Sequence, residues 1–170
     1  MEQTPSSLTR DQIEHLLRQK DEARTLDLSG QDLREIDLSE LDLSGVNLER
    51  TNLAGAHLRS PLKRARLRSA NLQGADLAGS DLFLADCSEA ILRDADLRGA
   101  NLEAASFKGT DLRGANLESS RLEGTDFEDA QMEGARLYAA LLSDEGKQRL
   151  QGRGILGLEQ TVSIDRLAGS

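Results

Sequence analysis

Between residues 67 and 142 a large apolar side chain stands at every fifth position, and the one slot without Leu, Phe or Met holds Cys87. The same spacing runs from Leu28 to Leu58. A period of five matches no helical face, which repeats every 3.6 residues, and a fixed period of this kind names a repeat architecture. A small residue, mostly Ala, Ser or Thr, lies two positions before each large one. Small, polar, large then reads as inward, outward, inward along a three-residue strand, and the two residues left over turn a corner. Gly fills the last corner slot at positions 30, 45, 55, 74, 79, 99, 109, 114, 124 and 134, as a corner with positive φ favours. Aromatic residues make up only 2% of the chain and Trp is absent, so the interior is built from Leu and Ala.

If successive corners turn the same way the chain closes into a coil whose short strands stack on the next coil. "ADLRGANLEA" and "TDLRGANLES" carry the pattern in its clearest form. On these residues the chain resembles the pentapeptide repeat proteins over residues 26–142. The resemblance implies an all-β solenoid, a right-handed quadrilateral β-helix with four repeats, about twenty residues, per coil. The central positions number 24, hence about six coils. Stacked at about 4.8 Å per coil they make a rod of about 29 Å.

Nearest-neighbour stacking leaves the two ends in need of covers. Residues 1–25 form an N-terminal segment with a capping helix from Thr9 to Lys20, in which Thr9 and Gln12 are spaced as a capping box and Ile13, Leu16 and Leu17 share one face. Residues 143–170 hold a second short helix with Ser143 as N-cap, weakened by Gly146 and Gly152, then a tail with a brief alternation at Val162 and Ile164.

One spacing departs from five: Leu58 and Leu62 are four apart in "HLRSPLKRARL". Pro61 falls in an outward slot, where a missing N–H is best tolerated at an irregular point. The reading predicts a bulge or tightened corner on the third coil, with the stack continuous on both sides.

The residue types restrict the chemistry. Cys87, the sole cysteine, excludes an internal disulfide and a cysteine metal cluster, and its slot points inward. His15 and His57 have no companion ligands at metal spacing, and no nucleophile triad, phosphate loop or dinucleotide fingerprint is present. The Asp residues before the large ones suit local turn bonding before any catalytic or metal role. No enzymatic activity, no catalytic, cofactor or metal residue and no cofactor is therefore expected. No window is apolar enough for a membrane span, and the sequence is read as that of a soluble cytoplasmic protein; a bacterial source is what the family resemblance implies.

Net charge is −9 and unevenly spread. Residues 57–70 hold five basic and no acidic residues, and residues 101–135 hold eight acidic and three basic ones. Vertical neighbours are expected to complement one another at Glu49 over Arg68, Arg98 over Glu118 and Lys108 over Glu128. Two functions follow. The first is a non-enzymatic binding scaffold that presents flat solenoid faces to a protein partner, as a monomer or an end-to-end dimer. The second comes from the resemblance alone: some family members mimic DNA and bind a type II topoisomerase such as gyrase. Candidate contacts are the apolar Phe83, Leu84 and Tyr138, the acidic Glu118, Glu123, Glu128 and Glu133, and the basic belt Arg59, Lys63, Arg64, Arg66 and Arg68. The belt has no interleaved aromatics, which argues against direct nucleic-acid binding.

Overall fold

The computed structural model describes residues 8–19 and 25–167. Helix α1 (Arg10–Arg18) opens with the reciprocal Thr9–Gln12 capping box; Lys20 lies outside the described residues. From Asp27 onward the chain winds as a right-handed quadrilateral β-helix. Its ladders are parallel and link each outward residue to the one a coil further on, as in Asp27, Asn47, Arg66, Asp86, Ser106 and Asp126 down the first face. Faces two and three run from Asp32 to Gln131 and from Asp37 to Arg136, and face four runs through Pro61, Asp81, Asn101 and Arg121 to Leu141.

The reason for the five-residue unit is visible in its hydrogen bonds. Each large residue from Leu28 to Leu142 is buried, Phe127 being the most accessible at 8%. A full Leu burial contributes on the order of 2 kcal/mol, so the stack is held by its interior column. The outward Asp or Asn accepts the amide of the residue two positions on, as Asp27 does from Ser29 at 2.9 Å and Asn116 from Glu118 at 3.0 Å. A four-residue turn closes the corner, for instance with the Ala65 amide donating to the Leu62 carbonyl at 3.0 Å. Glycine is not obligatory there: Arg64 and Leu84 hold the corner position at φ +56° and +59°.

The shortened corner belongs to the second coil, whose large residues are Leu48, Leu53, Leu58 and Leu62, and not to the third. The Ser60 amide donates to the Leu58 carbonyl at 2.8 Å, making a three-residue turn. The ladder runs on through it, from His57 to Asp76 and from Pro61 to Asp81.

At the N-terminal end Leu26, Ile36 and Leu41 occupy the slot that is small in later coils, and with Leu8 and Leu17 they pack against Ile13 and the core. The Arg10 guanidinium donates to the carbonyls of Asp37 and Ser39 at 2.6 and 3.0 Å, capping one free edge of the first coil. At the other end β1 (Leu141–Leu142) leads into α2 (Asp144–Leu150), capped by Ser143 and anchored by buried Leu150. The tail then rejoins the ladder as a partial seventh coil. Leu156 pairs with Arg136, and β2 (Val162–Ser163) pairs in parallel with β1 before α3 (Ile164–Leu167). A 3-10 turn at Leu158–Gln160 takes up the residue that makes the last turn one longer than a regular coil.

Candidate interaction surfaces

Because the inward slots of the middle coils are filled by core, the lateral surface consists of four columns of outward residues and four columns of corners. The basic belt occupies coils two and three, and its cations are matched to carboxylates one coil away. Arg59 contacts Asp76 at 2.8 Å, Lys63 contacts Asp81 at 3.1 Å, Arg66 contacts Glu49 at 2.5 Å and Arg68 contacts Glu89 at 2.5 Å. Among the described residues only Arg64 of the five has no carboxylate partner. A charge-balanced belt has little to offer a phosphate backbone, whose affinity depends on uncompensated cations.

The complementary pairs differ in part from those expected. Lys108 does meet Glu128, at 2.5 Å. Glu49 pairs with Arg66 and not Arg68, and Arg98 turns back onto Asp96 at 2.5 Å, not to Glu118. Arg98 takes the short path because the outward residue of its own strand is an Asp, whereas Glu49, whose own strand presents Asn47, meets the outward Arg66 one coil on. Asp76 and Asp96, the adjacent like charges on face three, are each supplied with an arginine, Arg59 and Arg98. Bonding to Arg98 holds the Asp96 carboxyl below its ordinary range.

The acidic residues Glu118, Glu123, Glu128 and Glu133 fall in corner slots of four successive faces, so they form a ring around coils five and six. A row of carboxylates along one side of the rod is not formed. Glu128 is occupied by Lys108.

Of the apolar candidates, Leu84 is 40% exposed and Phe83 is half-buried. Tyr138 is exposed at 43%, yet its ring lies against Gly157, where an added Cβ would stand 2.5 Å from the ring. Tyr138 therefore helps to seat the C-terminal cap. Ile91, Leu156 and Val162, which were not among the expected contacts, are also exposed. Ile91 stands in an outward slot normally polar, which was a usable signal; Val162 was marked only by its alternation with Ile164, where a short strand forms, and Leu156 follows the last repeat and gave none.

Cys87 is fully buried, and desolvation pushes its thiol far above the ordinary range. His57 Nδ1 is 3.8 Å from Asp76, and His15 bonds Gln19 at 2.9 Å, both at the surface. Among the described residues no three His, Cys, Asp or Glu side chains are grouped to hold a metal ion. No described helix is long and apolar enough to cross a membrane. A cleft of about 680 Å³ lies at the C-terminal end between the first face of coil six and α2.

Comparison with known proteins accords with this geometry. The family profile described as Pentapeptide repeats matches in eight copies, over residues 26–59, 62–99, 80–118 and 105–144. A search of the curated proteins returns no match. Among solved structures, a pentapeptide repeat protein of the Arabidopsis thaliana thylakoid lumen is 31% identical with a TM-score of 0.50, the alignment covering 84% of this chain and 90% of that one. HetL, a pentapeptide repeat protein involved in heterocyst differentiation regulation from the cyanobacterium Nostoc sp. strain PCC 7120, is 20% identical with a TM-score of 0.51, covering 91% and 94%. Repeat profile, ladder register and fold agree, and the chain belongs to the pentapeptide repeat proteins.

Proposed function

We propose that this protein is a non-enzymatic binding scaffold of the cytoplasm whose lateral surface docks a protein partner at the corner formed by Phe83 and Leu84. The observation that carries this reading is Leu84 itself. It adopts φ +59° and is 40% exposed. A left-handed non-glycine residue costs about 1 kcal/mol, and the equivalent four-residue corners hold Gly, Ala, Ser, Asp, Glu or Arg, so a large apolar residue left two-fifths exposed is the exception among them. Phe83 adjoins it, and Arg64, which has no carboxylate partner among the described residues, is one coil above, its amide donating to the Phe83 carbonyl at 2.9 Å. An apolar knob beside a free guanidinium suits an acidic, apolar segment of another protein.

The test is a pull-down from native extract with the parent protein and Leu84→Asp in parallel. A specific protein retained by the parent and lost with the variant is expected. Equal retention by both would remove this corner as the site. The topoisomerase alternative draws no support from the ring-like placement of Glu118, Glu123, Glu128 and Glu133; gyrase supercoiling unchanged at micromolar protein is the expected result.

A further inference from the structure

We propose a second binding site: the open lower edge of face one in coil six accepts an extended, basic peptide as an added parallel strand. In every earlier coil three backbone groups of face one bond the coil beneath. In coil five these are the Ala105 carbonyl, which accepts from the Asp126 amide, and the amides of Phe107 and Gly109, which donate to the carbonyls of Asp126 and Glu128. Their counterparts in coil six are the Thr125 carbonyl and the amides of Phe127 and Asp129, and none of the three has a hydrogen-bond partner among the described residues.

The tail closes the other side of the rod. The Leu156 amide donates to Ala135 at 2.7 Å, the Leu137 amide to Leu156 at 2.8 Å, and the Val162 amide to Ala140 at 2.8 Å. Beneath face one the chain instead forms α2, which stands off and leaves the cleft of about 680 Å³. Its floor is apolar, with Leu122, Phe127, Leu142 and Leu150. Arg153 reaches in from the far wall and donates to the Phe127 carbonyl at 2.9 Å. The Thr51 and Thr110 hydroxyls make the equivalent bond, to the carbonyls of Leu28 and Cys87, where a next coil is present. The space is thus shaped for a strand that the chain does not provide, and an unpaired strand edge is a template for another chain.

Register and charge specify the occupant. An incoming residue placed beneath Asp126 donates its amide to the Thr125 carbonyl and offers its carbonyl to the Phe127 amide. The next residue points inward beneath Phe127, and the one after it lies beneath Glu128 and offers its carbonyl to the Asp129 amide. Arg149 is paired with Glu145 at 2.5 Å, Lys108 with Glu128 at 2.5 Å, and Arg153 is turned to a carbonyl. Asp126 and Asp129 have no salt-bridge partner among the described residues, so the rim favours cations. The sequence class is therefore small, basic, large apolar, basic.

The experiment uses the full chain and a fluorescein-labelled peptide with two copies of Ala-Lys-Leu-Lys-Gly, followed by anisotropy. Saturable binding is expected, with a loss of at least tenfold when Lys is replaced by Glu throughout. N-methylation of the first Lys amide of each copy should cost at least tenfold, and N-methylation of the Leu amides, which face away from the protein, should cost less than threefold. Asp126→Lys should weaken the Lys peptide and strengthen the Glu peptide. Leu84→Asp should change nothing, so this site and the lateral corner fail or stand separately. Absence of saturable binding up to millimolar peptide, or equal affinity for the two N-methylated peptides, would overturn the proposal.

Discussion

The Ser60 amide and the Leu58 carbonyl, 2.8 Å apart, close the one corner of coils one to six that has three residues where every other has four. The omission has a cost on the coil below. At regular corners the third turn residue donates to the coil beneath, as Gly79 does to Arg98 at 2.8 Å, and the carbonyl of Ala78 has no such donor above it. The flanking bonds are also long, 3.2 Å from Glu40 to Arg59 and 3.3 Å from Asp81 to Ser60. Inserting Gly between Arg59 and Ser60 should restore a regular corner and one hydrogen bond, worth about 1 kcal/mol. Thermal denaturation should show Tm raised by about 2–4 °C. A fall of that size would mean that the stack requires the short corner.

Much of this architecture is legible in the sequence because a five-residue unit makes each position's direction repeat. Leu28 and Leu97 are buried for the same reason, and Asp27 and Asp96 face outward for the same reason. Pairing of charges was less legible: Arg98 can reach Asp96 on its own strand or Glu118 on the next coil, and spacing does not distinguish a two-residue reach from a twenty-residue one. The tail was least legible. Residues 153–163 continue the ladder through Leu156 and Val162 without the repeat, since backbone bonds need no particular side chain. The cleft beneath Phe127 results from a coil replaced by α2, and a helix signal alone does not disclose an edge left open.

Ser80 and Thr110 occupy equivalent small slots with opposite outcomes. The Thr110 hydroxyl donates to the Cys87 carbonyl at 2.8 Å, while the Ser80 hydroxyl is buried with no partner among the described residues. Since a buried unsatisfied hydroxyl costs about 1–3 kcal/mol, Ser80→Ala should stabilise by about 1 kcal/mol. Thr110→Val should destabilise by about 1 kcal/mol. Urea titrations with unchanged m-values would check both, and a stability loss in Ser80→Ala would show that its hydroxyl is satisfied.

Cys87 lies in the interior column between Leu67 and Phe107, and burial raises its thiol so that thiolate is scarce in the folded state. The thiolate is the reactive species. At saturating disulfide reagent, labelling should therefore proceed at the rate of global unfolding measured by circular dichroism. Labelling faster than unfolding would reveal a local opening of coil four.

Four carboxylates in outward slots, together with the corner Glu89 that Arg68 holds below its ordinary range, carry an acid dependence. Backbone bonds from Ser29 and Ser39 lower Asp27 and Asp37, and bonds from Arg34 and Arg98 lower Asp32 and Asp96. A carboxyl lowered in the folded state adds stability that is fully present above its unfolded value, about 3.9, and is lost as pH falls through the folded value. From these groups Tm should be flat between about pH 5 and 8 and decline below about pH 4. Replacing all four by Asn, which still accepts the turn amide, should flatten that acid limb; an unaltered limb would place its origin elsewhere.

Tyr138 is the only tyrosine and the chain has no Trp, so its fluorescence reports the C-terminal cap alone. Its ring lies on Gly157, which has φ +75° and leaves no room for a Cβ. Gly157→Ala brings a methyl group into the ring and places a non-glycine residue in the left-handed region, together costing about 2 kcal/mol. The partial seventh coil is joined to the rod by bonds at Arg153, Gly154, Leu156, Gln160 and Val162, fewer than a full coil makes, so it is the natural unit of local unfolding. In the parent the tyrosine signal and the β-helix circular dichroism should report one transition in urea. In Gly157→Ala the tyrosine transition should move to lower urea while the circular dichroism midpoint stays nearly in place. Coincident transitions in the variant would mean that the cap and the coils unfold as a single unit.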